Sequence, residues 1–296
     1  MCNRIWAFAP FVAFALKHRL RLIVPFFGEY AADYPQIGAL ARVQFACSAT
    51  PLYLRVVRRI FRSLRLLPPR FRSLMRIRIA ENWGHEDWDE ATLTAPFSAV
   101  FLSGWAHPPP VSDLRPWRDE LRHILLPSRS ICQKVEDALA AGRRRCPQVV
   151  GIHLRREDYR DWAEGRYYFT NAQYAVLMAQ IRAQMAGPTA FLLCSNEAID
   201  TSDFPEFDVF TVPGASGVED LHALSLCDFI AGPPSTYSMW ASFYGDVPLY
   251  IVEDIDRPVT RADFSAIVAL NRFADGRTFS LPISADDDTD RWFRSE

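Results

Sequence analysis

The chain of 296 residues has an ordinary globular composition, with 49% hydrophobic residues, 23% charged residues and a formal net charge of −2. This length allows one large domain or two of ordinary size, and the near-neutral charge excludes a general attraction to nucleic acid. No apolar run reaches about 18 residues, so no membrane span is predicted. The six cysteines show neither a CxxC pair nor metal-ligand spacing, which favours a reduced cytoplasmic compartment with Cys194 and Cys227 in the core.

The chain begins with an apolar stretch, Ile5–Leu16, followed by the basic residues Lys17, His18 and Arg19. The stretch is too short to span a bilayer, and no basic region precedes it, which argues against a signal peptide. We therefore predict a buried helix that leads into a strand over Leu20–Val24.

An arginine-rich stretch follows, with nine arginines and no acidic residue between Arg55 and Arg78. Apolar residues recur at helical spacing on one side, which predicts a basic amphipathic helix over Leu54–Leu67 that ends at Pro68. This helix either touches an anionic membrane peripherally, at the inner face of the cell membrane, or packs on its own domain with a solvated basic face. The second interpretation is favoured because apolar stripes are usually core. RNA binding is not favoured, because the stretch lacks the interleaved exposed aromatic residues on which bases stack.

Aromatic and proline-rich loops follow the basic helix and contain Trp83, Trp88, Trp105 and Pro108–Pro110. These tryptophans either stack on sugar rings or are buried. The arginine-rich stretch Gly142–Pro147 is predicted to be a linker. The sequence therefore divides into two α/β domains, residues 1–145 and residues 146–296.

The second half alternates strand and helix signals. Two of its helices begin with capping boxes, which pair Thr170 with Gln173 and Ser216 with Glu219. This alternation predicts an α/β fold in which helices wrap a parallel sheet. The predicted strands are Val149–Leu154, Ala190–Cys194, Val209–Val212, Asp228–Gly232 and Pro248–Val252.

A cationic cluster follows the first of these strands and contains His153, Arg155 and Arg156. Ligands of open α/β sheets bind at the carboxyl ends of the strands, and the planar fork of arginine suits bidentate contact with phosphate. The cluster therefore predicts a phosphate site. The alternative is an ion-paired loop in which Glu157 and Asp158 neutralise the arginines.

Two helix starts face the same predicted edge. Pro233 and Pro234 end the strand Asp228–Gly232, and Ser235 or Thr236 can cap the helix that follows. A helix start attracts anions, so this segment and Arg155 together suggest two arms of a diphosphate clamp, while a plain N-cap remains the alternative. Asp220 stands just inside another helix, where its carboxylate either accepts from the N–H edge of a guanine ring or complements the helix dipole.

Several motifs resemble those of the GDP-fucose-dependent fucosyltransferases. His153-Leu154-Arg155-Arg156-x-Asp158 resembles their H-x-R-R-G-D motif, and Asp220–Ile230 resembles their second motif. Ser235–Ser242, which contains Thr236 and Tyr237, resembles the S-S-F-S-W-W-A-A run of the α-1,2-fucosyltransferases. Asn3–Trp6 resembles the G-N-x-hydrophobic loop that follows the first strand of such enzymes.

The resemblance implies a GT-B fold of two Rossmann-like domains with parallel sheets that face a cleft, residues 1–145 on the acceptor side and residues 146–296 binding the GDP-sugar. It implies an inverting transfer of L-fucose from GDP-fucose to a hydroxyl of a glycan acceptor, as in bacterial glycan biosynthesis, with no metal and no cofactor. Arg155, Asp158 and Asp161 are the predicted catalytic residues. The implied donor-binding residues are Asn3, His153, Arg155, Arg156, Asp220, Ser235, Thr236 and Tyr237.

Within that set, the resemblance assigns the β-phosphate to Arg155 and guanine to His153 and Asp220, while a structural role is favoured for Arg156. Asp158, Asp161 and Glu164 are candidates for the general base, and for Asp158 a role in holding an arginine is favoured.

Three departures from the family pattern stand out. Glu157 replaces the usual glycine, Met239 replaces a tryptophan, and the chain starts at the loop, so we expect a truncated or differently completed first strand. Alternative functions are a transferase for another GDP-sugar and an inactive protein that binds a GDP-sugar or a glycan.

Overall fold

A computed structural model describes residues 1–25, 27–38, 42–45, 51–82, 94, 99–104 and 111–279. The aromatic loops with Trp83, Trp88, Trp105 and Pro108–Pro110 lie outside these ranges, so the two interpretations of their tryptophans stay predictions. Residue contacts divide the chain into two compact units, Asn3–Leu126 and Pro127–Ser284.

The first unit combines helices with two separate pairs of parallel strands. Strand β1 pairs with β2, and β3 pairs with β4. No helix in the described ranges is long and apolar enough to cross a membrane. The elements are α1 (Cys2–His18), β1 (Leu22–Val24), β2 (Val43–Phe45), α2 (Pro51–Leu66), α3 (Pro69–Leu74), β3 (Ile77–Asn82), β4 (Ala99–Gly104) and α4 (Arg118–Ile124).

Helix α1 confirms the predicted buried amino-terminal helix. Most of its apolar residues are buried, Ile5 and Val12 completely, and the ring of Phe8 packs edge-on against Phe27 with centroids 5.1 Å apart. The helix ends at Arg19, which adopts a left-handed conformation. The comparison of Asn3–Trp6 with a loop is wrong, because a continuous apolar, helix-forming run places these residues in the first turns of α1.

The second unit is built on a five-stranded parallel sheet with strand order β7-β6-β5-β8-β9. This confirms the predicted alternation, and the five predicted strands appear with their ends shifted by one or two residues. A two-stranded antiparallel pair, β10 with β11, follows the sheet. The elements are α5 (Arg129–Arg145), β5 (Gln148–Leu154), α6 (Asn171–Ala183), β6 (Thr189–Ser195), β7 (Asp208–Phe210), α7 (Gly217–Leu224), β8 (Phe229–Gly232), α8 (Thr236–Gly245), β9 (Leu249–Ile251), β10 (Ile267–Ala269) and β11 (Arg272–Phe273).

The strand order reverses between β5 and β8. The chain builds β6 and β7 on one side of β5 and then crosses to the other side for β8 and β9. Such a reversal opens a crevice beyond the carboxyl ends of the two strands, where α/β proteins bind ligands. Gly232 allows β8 to lie close to β5 here: a Cβ atom at this position would fall 2.8 Å from the carbonyl oxygen of His153.

The stretch Gly142–Pro147 is not a linker, which corrects the sequence prediction. Its first four residues form the last turn of α5, in the second unit. Arg143 donates to Asp228 at 2.8 Å, and a Cβ atom on Gly142 would fall 2.5 Å from the ring of Phe210. The arginines that suggested an exposed connection therefore hold α5 against the sheet.

The structure confirms the capping boxes and the buried cysteines that were predicted in the second unit. Both capping boxes form, with the Thr170 and Ser216 hydroxyls accepting from the backbone N–H groups of Gln173 and Glu219. Cys194 and Cys227 are buried, as predicted. These signals depend on nearest neighbours along the chain, which explains why the sequence alone reveals them.

Candidate anion-binding site

Arg155 is the first residue beyond β5 and lies at the crevice between β5 and β8. Its side chain is partly exposed, forms an ion pair of 2.9 Å with Asp158, and lies over the ring of Tyr159 at 5.5 Å. One acid and one ring therefore orient the guanidinium, while part of it remains open to solvent. A fixed, accessible guanidinium suits contact with a phosphate.

Arg156 points the other way and is buried. Its guanidinium donates to the carbonyl oxygen of Phe169 and to the side-chain oxygen of Asn171. The rings of Tyr168 and Tyr174 lie 5.3 Å and 5.4 Å from it. These contacts hold the loop after β5 against the start of α6, which fits the structural role favoured for Arg156.

The start of α8 forms the second arm of the site. Ser235 is the N-cap, and its hydroxyl accepts from the backbone N–H of Tyr237 at 3.2 Å. Thr236 is the first residue of the helix, and both Thr236 and Tyr237 are partly exposed. The helix dipole and the N–H groups of this first turn favour an anion at this point.

Tyr159 connects the two arms. Its hydroxyl donates to the carbonyl oxygen of Pro234, the residue before Ser235, and its ring lies under Arg155. Burial raises the pKa of this hydroxyl well above its usual range, so it stays protonated and keeps donating. No role for Tyr159 was predicted from the sequence. The available signal was a large aromatic residue with a hydroxyl in a highly charged loop.

His153 is the second-last residue of β5 and is buried beside the same helix. Its Nδ1 lies 2.6 Å from the hydroxyl oxygen of Ser238, and its ring lies 5.0 Å from that of Tyr237. Burial and the nearby Arg155 lower the pKa of His153 to about 3, so the imidazole is neutral at physiological pH. The bond to Ser238 had no sequence signal, because it joins residues 85 positions apart.

Asp220 lies in the first turn of α7, whose start is tied to α8. The hydroxyl of Tyr237 donates to the carbonyl oxygen of Gly217 at 2.6 Å. Asp220 is buried, and burial raises its pKa to about 6 against the opposing effect of hydrogen bonds with Cys194 and the Ser195 backbone. A buried carboxylate that is costly to ionise is a candidate for a specific hydrogen-bonded partner.

The carboxylates considered as general base lie in the loop after β5. Asp158 is occupied by Arg155, whereas Asp161 and Glu164 are exposed. Asp161 stands between two short 3-10 turns, Glu157–Arg160 and Trp162–Gly165. Asn3, by contrast, belongs to the first unit and is exposed on the first turn of α1.

Glu157 occupies a backbone conformation that favours glycine, with φ of 38°. Two hydrogen bonds hold it there: the side-chain amide of Asn196 donates to its carboxylate at 2.8 Å, and its own backbone N–H donates to Glu197 at 3.1 Å. The second departure, Met239, is fully buried within α8. Of the two replaced residues, only Glu157 therefore borders the site.

A cavity of about 490 Å³ opens at the end of β6, next to this site. Its lining combines the carboxylates of Glu197, Asp200 and Asp203 with the guanidinium of Arg156. Because the carboxylates outnumber the guanidinium, a diphosphate fits the β5–β8 crevice better. Among the residues that the structure describes, no group of three or more His, Cys, Asp or Glu side chains is arranged to hold a metal ion.

Solved structures share this fold. A crystal structure of POFUT1 in complex with GDP-fucose matches with a TM-score of 0.51 and 13% identity, covering 83% of this chain and 91% of that one. A mutant of FUT1 from Arabidopsis thaliana in complex with GDP matches with a TM-score of 0.55 and 11% identity, covering 96% and 78%. No family model and no curated protein matches the sequence. The matched structures have the GT-B fold, so the α/β fold predicted from the sequence is confirmed.

Proposed function

We propose that this chain is a glycosyltransferase that binds a GDP-sugar, with GDP-fucose as the foremost candidate, at the carboxyl edge between β5 and β8. The observation that carries the proposal is the pair of arms formed by Arg155 and the start of α8, joined through Tyr159. Two phosphate-binding elements held at a fixed separation suit a diphosphate. The match to a POFUT1 structure that contains GDP-fucose supports the choice of donor.

In this proposal each residue at the edge has one role toward the donor. Arg155 binds the β-phosphate, Ser235 and Thr236 bind phosphate oxygens, and neutral His153 and ionised Asp220 contact guanine. Tyr237 positions the start of α8 against α7. Arg156 is a positioning residue for the loop, and Asn3, which is exposed on α1 of the first unit, is the residue proposed to approach the donor from that unit.

The reaction is an inverting substitution at the anomeric carbon of the sugar. An acceptor hydroxyl oxygen attacks this carbon, the bond to the β-phosphate oxygen breaks, and GDP leaves with the bonding electron pair. Arg155 and the first-turn N–H groups of α8 stabilise the charge that develops on GDP, without a step that requires a metal. Asp161 or Glu164 accepts the hydroxyl proton, while Asp158 holds Arg155 in place.

The acceptor in this proposal is a hydroxyl of a glycan, and the linkage class suggested by the Ser235–Ser242 motif is α-1,2. The resemblance assigns the donor to the second unit and the acceptor side to the first. Two other functions compete: transfer of a different GDP-linked sugar, and binding of a GDP-sugar or glycan without turnover.

Thermal denaturation with GDP-fucose, GDP-mannose, UDP-glucose and ADP tests the donor first. Ligand binding to the folded state raises the melting temperature, so a GDP-sugar site is expected to respond to the GDP compounds alone. Release of GDP from GDP-fucose, with and without glycan acceptors, then tests turnover. Arg155→Ala is the site variant. Arg144→Ala is its matched control, because Arg144 is exposed at the last turn of α5, which leads into the opposite end of β5.

Stabilisation by GDP-fucose together with GDP release that Arg155→Ala abolishes and Arg144→Ala retains supports the transferase. Stabilisation by GDP-mannose alone moves the proposal to another GDP-sugar. Tight binding with no GDP release on any acceptor overturns the enzyme and leaves a binding protein. Absence of any response to GDP compounds overturns the donor site itself.

A further inference from the structure

The arginine-rich segment, residues 52–78, exposes an unusual amount of apolar surface. In the part of the chain that the structure describes, twelve large hydrophobic residues are exposed, and seven of them lie in this segment. The most exposed are Leu66, with 84% of its surface accessible, Leu74 with 80% and Leu52 with 66%. The remaining four are Val56, Ile60, Phe71 and Met75.

On α2 the exposed apolar residues form one stripe. Leu52, Val56 and Ile60 recur every four residues, so they lie on the same face, and Val56 and Ile60 are 47% and 51% exposed. Arg55 and Arg59 are exposed beside this stripe. Val56 and Ile60 belong to the apolar stripe that the sequence predicted to pack on the protein's own core, but both side chains face solvent.

The pattern continues across Pro68 into α3. Phe71, Leu74 and Met75 are exposed at spacings of three and four residues, and Arg70 and Arg76, which flank them in the sequence, are exposed as well. Two consecutive helices therefore present aliphatic, aromatic and guanidinium groups to solvent. A monomeric soluble surface rarely concentrates apolar side chains in this way.

The charge of the segment is wholly of one sign. Between Arg55 and Arg78 stand nine arginines, and no Asp or Glu occurs from Tyr34 to Ala80. The net charge of the whole chain is only −2, so this region differs sharply from the rest of the surface. A long acid-free stretch gives a positive potential that extends over the whole segment rather than at one point.

We infer that the arginine-rich segment docks on the surface of an anionic lipid bilayer. The apolar side chains of α2 and α3 enter the boundary between headgroups and acyl chains, and the arginines beside them contact lipid phosphates. The long arginine side chain lets its charge reach the headgroups while its stem stays among apolar groups. Insertion of the apolar side chains and attraction of the arginines to the headgroups act together, since neither contribution alone gives firm attachment to the membrane.

A lipid surface fits better than a nucleic acid. RNA is bound by arginines that contact its phosphates and by aromatic rings that stack on its bases. A phosphate backbone offers no apolar environment in which leucine, isoleucine and valine side chains could be buried. Phe71 is the single aromatic residue among the seven exposed apolar residues of the segment. The inference is independent of the donor site, because it uses none of the residues assigned to GDP-fucose.

Flotation of the full chain with vesicles tests the inference. Vesicles of phosphatidylcholine alone are compared with vesicles that contain phosphatidylglycerol. One variant carries Leu66→Ser, Phe71→Ser and Leu74→Ser, and a second carries Arg59→Gln, Arg70→Gln and Arg76→Gln. The matched controls are Val176→Ser with Leu226→Ser, which are exposed apolar residues of the second unit, and Arg144→Gln with Arg272→Gln.

We expect binding to the anionic vesicles only, and we expect each segment variant to lower the partition coefficient by about tenfold or more while the controls change it little. Far-ultraviolet circular dichroism and thermal unfolding establish that the variants are folded. The inference is overturned if the protein binds both kinds of vesicle equally or neither. It is also overturned if the serine variant binds like the parent, or if RNA captures the segment more tightly than vesicles do.

Discussion

Arginine dominates two regions of this molecule, the sheet edge of the second unit and the arginine-rich segment, but the residues around the arginines differ between them. At the sheet edge, Arg155 is paired with Asp158 and lies over Tyr159, and Arg156 is enclosed by carbonyl groups and rings. The arginine-rich segment contains nine arginines and no acidic residue, and seven of its large hydrophobic residues are exposed.

The difference indicates what each region recognises. A guanidinium fixed by an acid and a ring loses little freedom when a ligand arrives, so it suits one ligand geometry. A stretch of like charges that contains no acidic residue of its own produces a broad potential, which suits an extended negative surface. The two regions are therefore expected to respond very differently to the same substitutions.

The largest expected difference is in turnover. Arg155→Ala should lower the rate of GDP-fucose consumption by about 100- to 1000-fold, because removing one fixed donor to developing charge costs about 2.7–4 kcal/mol. Arg59→Ala, in the arginine-rich segment, should leave that rate unchanged. Steady-state assays of GDP release measure both. Equal losses in the two variants would remove the distinction between the regions.

The pH dependence of the sheet edge is the next largest effect. The pKa of Asp220, about 6 in the folded protein, exceeds its ordinary value of about 3.9. At this residue the folded state therefore binds more protons than the unfolded state between about pH 4 and pH 6, and the contribution of Asp220 to the free energy of unfolding falls by about 3 kcal/mol as pH rises through this window. Denaturant titrations of the parent and of Asp220→Asn should show that fall in the difference between the two proteins, because the carboxyls whose pKa is lowered, such as Glu197 and Asp263, contribute equally to both.

The same ionisation should control donor binding. If ionised Asp220 accepts hydrogen bonds from guanine, affinity for GDP-fucose rises with pH up to about 6 and then levels off. GDP-fucose is the right probe, because both of its phosphates are esterified and neither titrates near pH 6. Titration calorimetry at several pH values measures the effect. An affinity that is flat across this range, or an unchanged slope in Asp220→Asn, would refute the guanine contact.

A smaller effect is expected on the free energy of unfolding, which should fall when a buried arginine is replaced but not when an exposed one is. Arg156→Met should destabilise the protein by about 2–3 kcal/mol, because the Phe169 carbonyl and the Asn171 side chain lose their donor. Arg59→Met, an exposed counterpart, should stay within about 0.5 kcal/mol of the parent. Urea unfolding measures both changes. A stable Arg156→Met variant that fails to bind GDP-fucose would instead make Arg156 a ligand contact.

The smallest predicted effect concerns the backbone at Glu157. Glu157→Ala loses the bond from Asn196 and keeps the unfavourable φ, whereas Glu157→Gly loses the same bond and relieves the backbone. The glycine variant should therefore be more stable than the alanine variant by about 1 kcal/mol. Thermal unfolding of the pair checks this difference. Equal stabilities would show that the backbone carries no strain here.

The sequence predicted the second unit well wherever the signal was local. The five strands, the capping boxes and the buried Cys194 and Cys227 all follow from residue patterns within a few positions. The prediction that Gly142–Pro147 is a linker was wrong, because two of its arginines bond to Asp228 and Asp208. These partners lie far along the chain, so the local pattern does not reveal them.

The site shows the same division. Arg155, Ser235 and Asp220 were predicted to lie at one sheet edge because each follows a strand of a parallel sheet, and the structure brings their elements to that edge. What joins the arms could not be predicted. The Tyr159–Pro234 and His153–Ser238 contacts depend on how two loops meet, and nothing in the spacing of these residues encodes that.

The hydrogen bond from Tyr159 to Pro234 also has a consequence for how the unit folds. It joins residues 75 positions apart, which meet only after β8 has docked beside β5. Long-range contacts of this kind form late, because the intervening chain must first be ordered. A fragment that ends before β8 should therefore contain Arg155 but no nucleotide site, and the appearance of nucleotide binding during refolding should mark the moment when β8 enters the sheet.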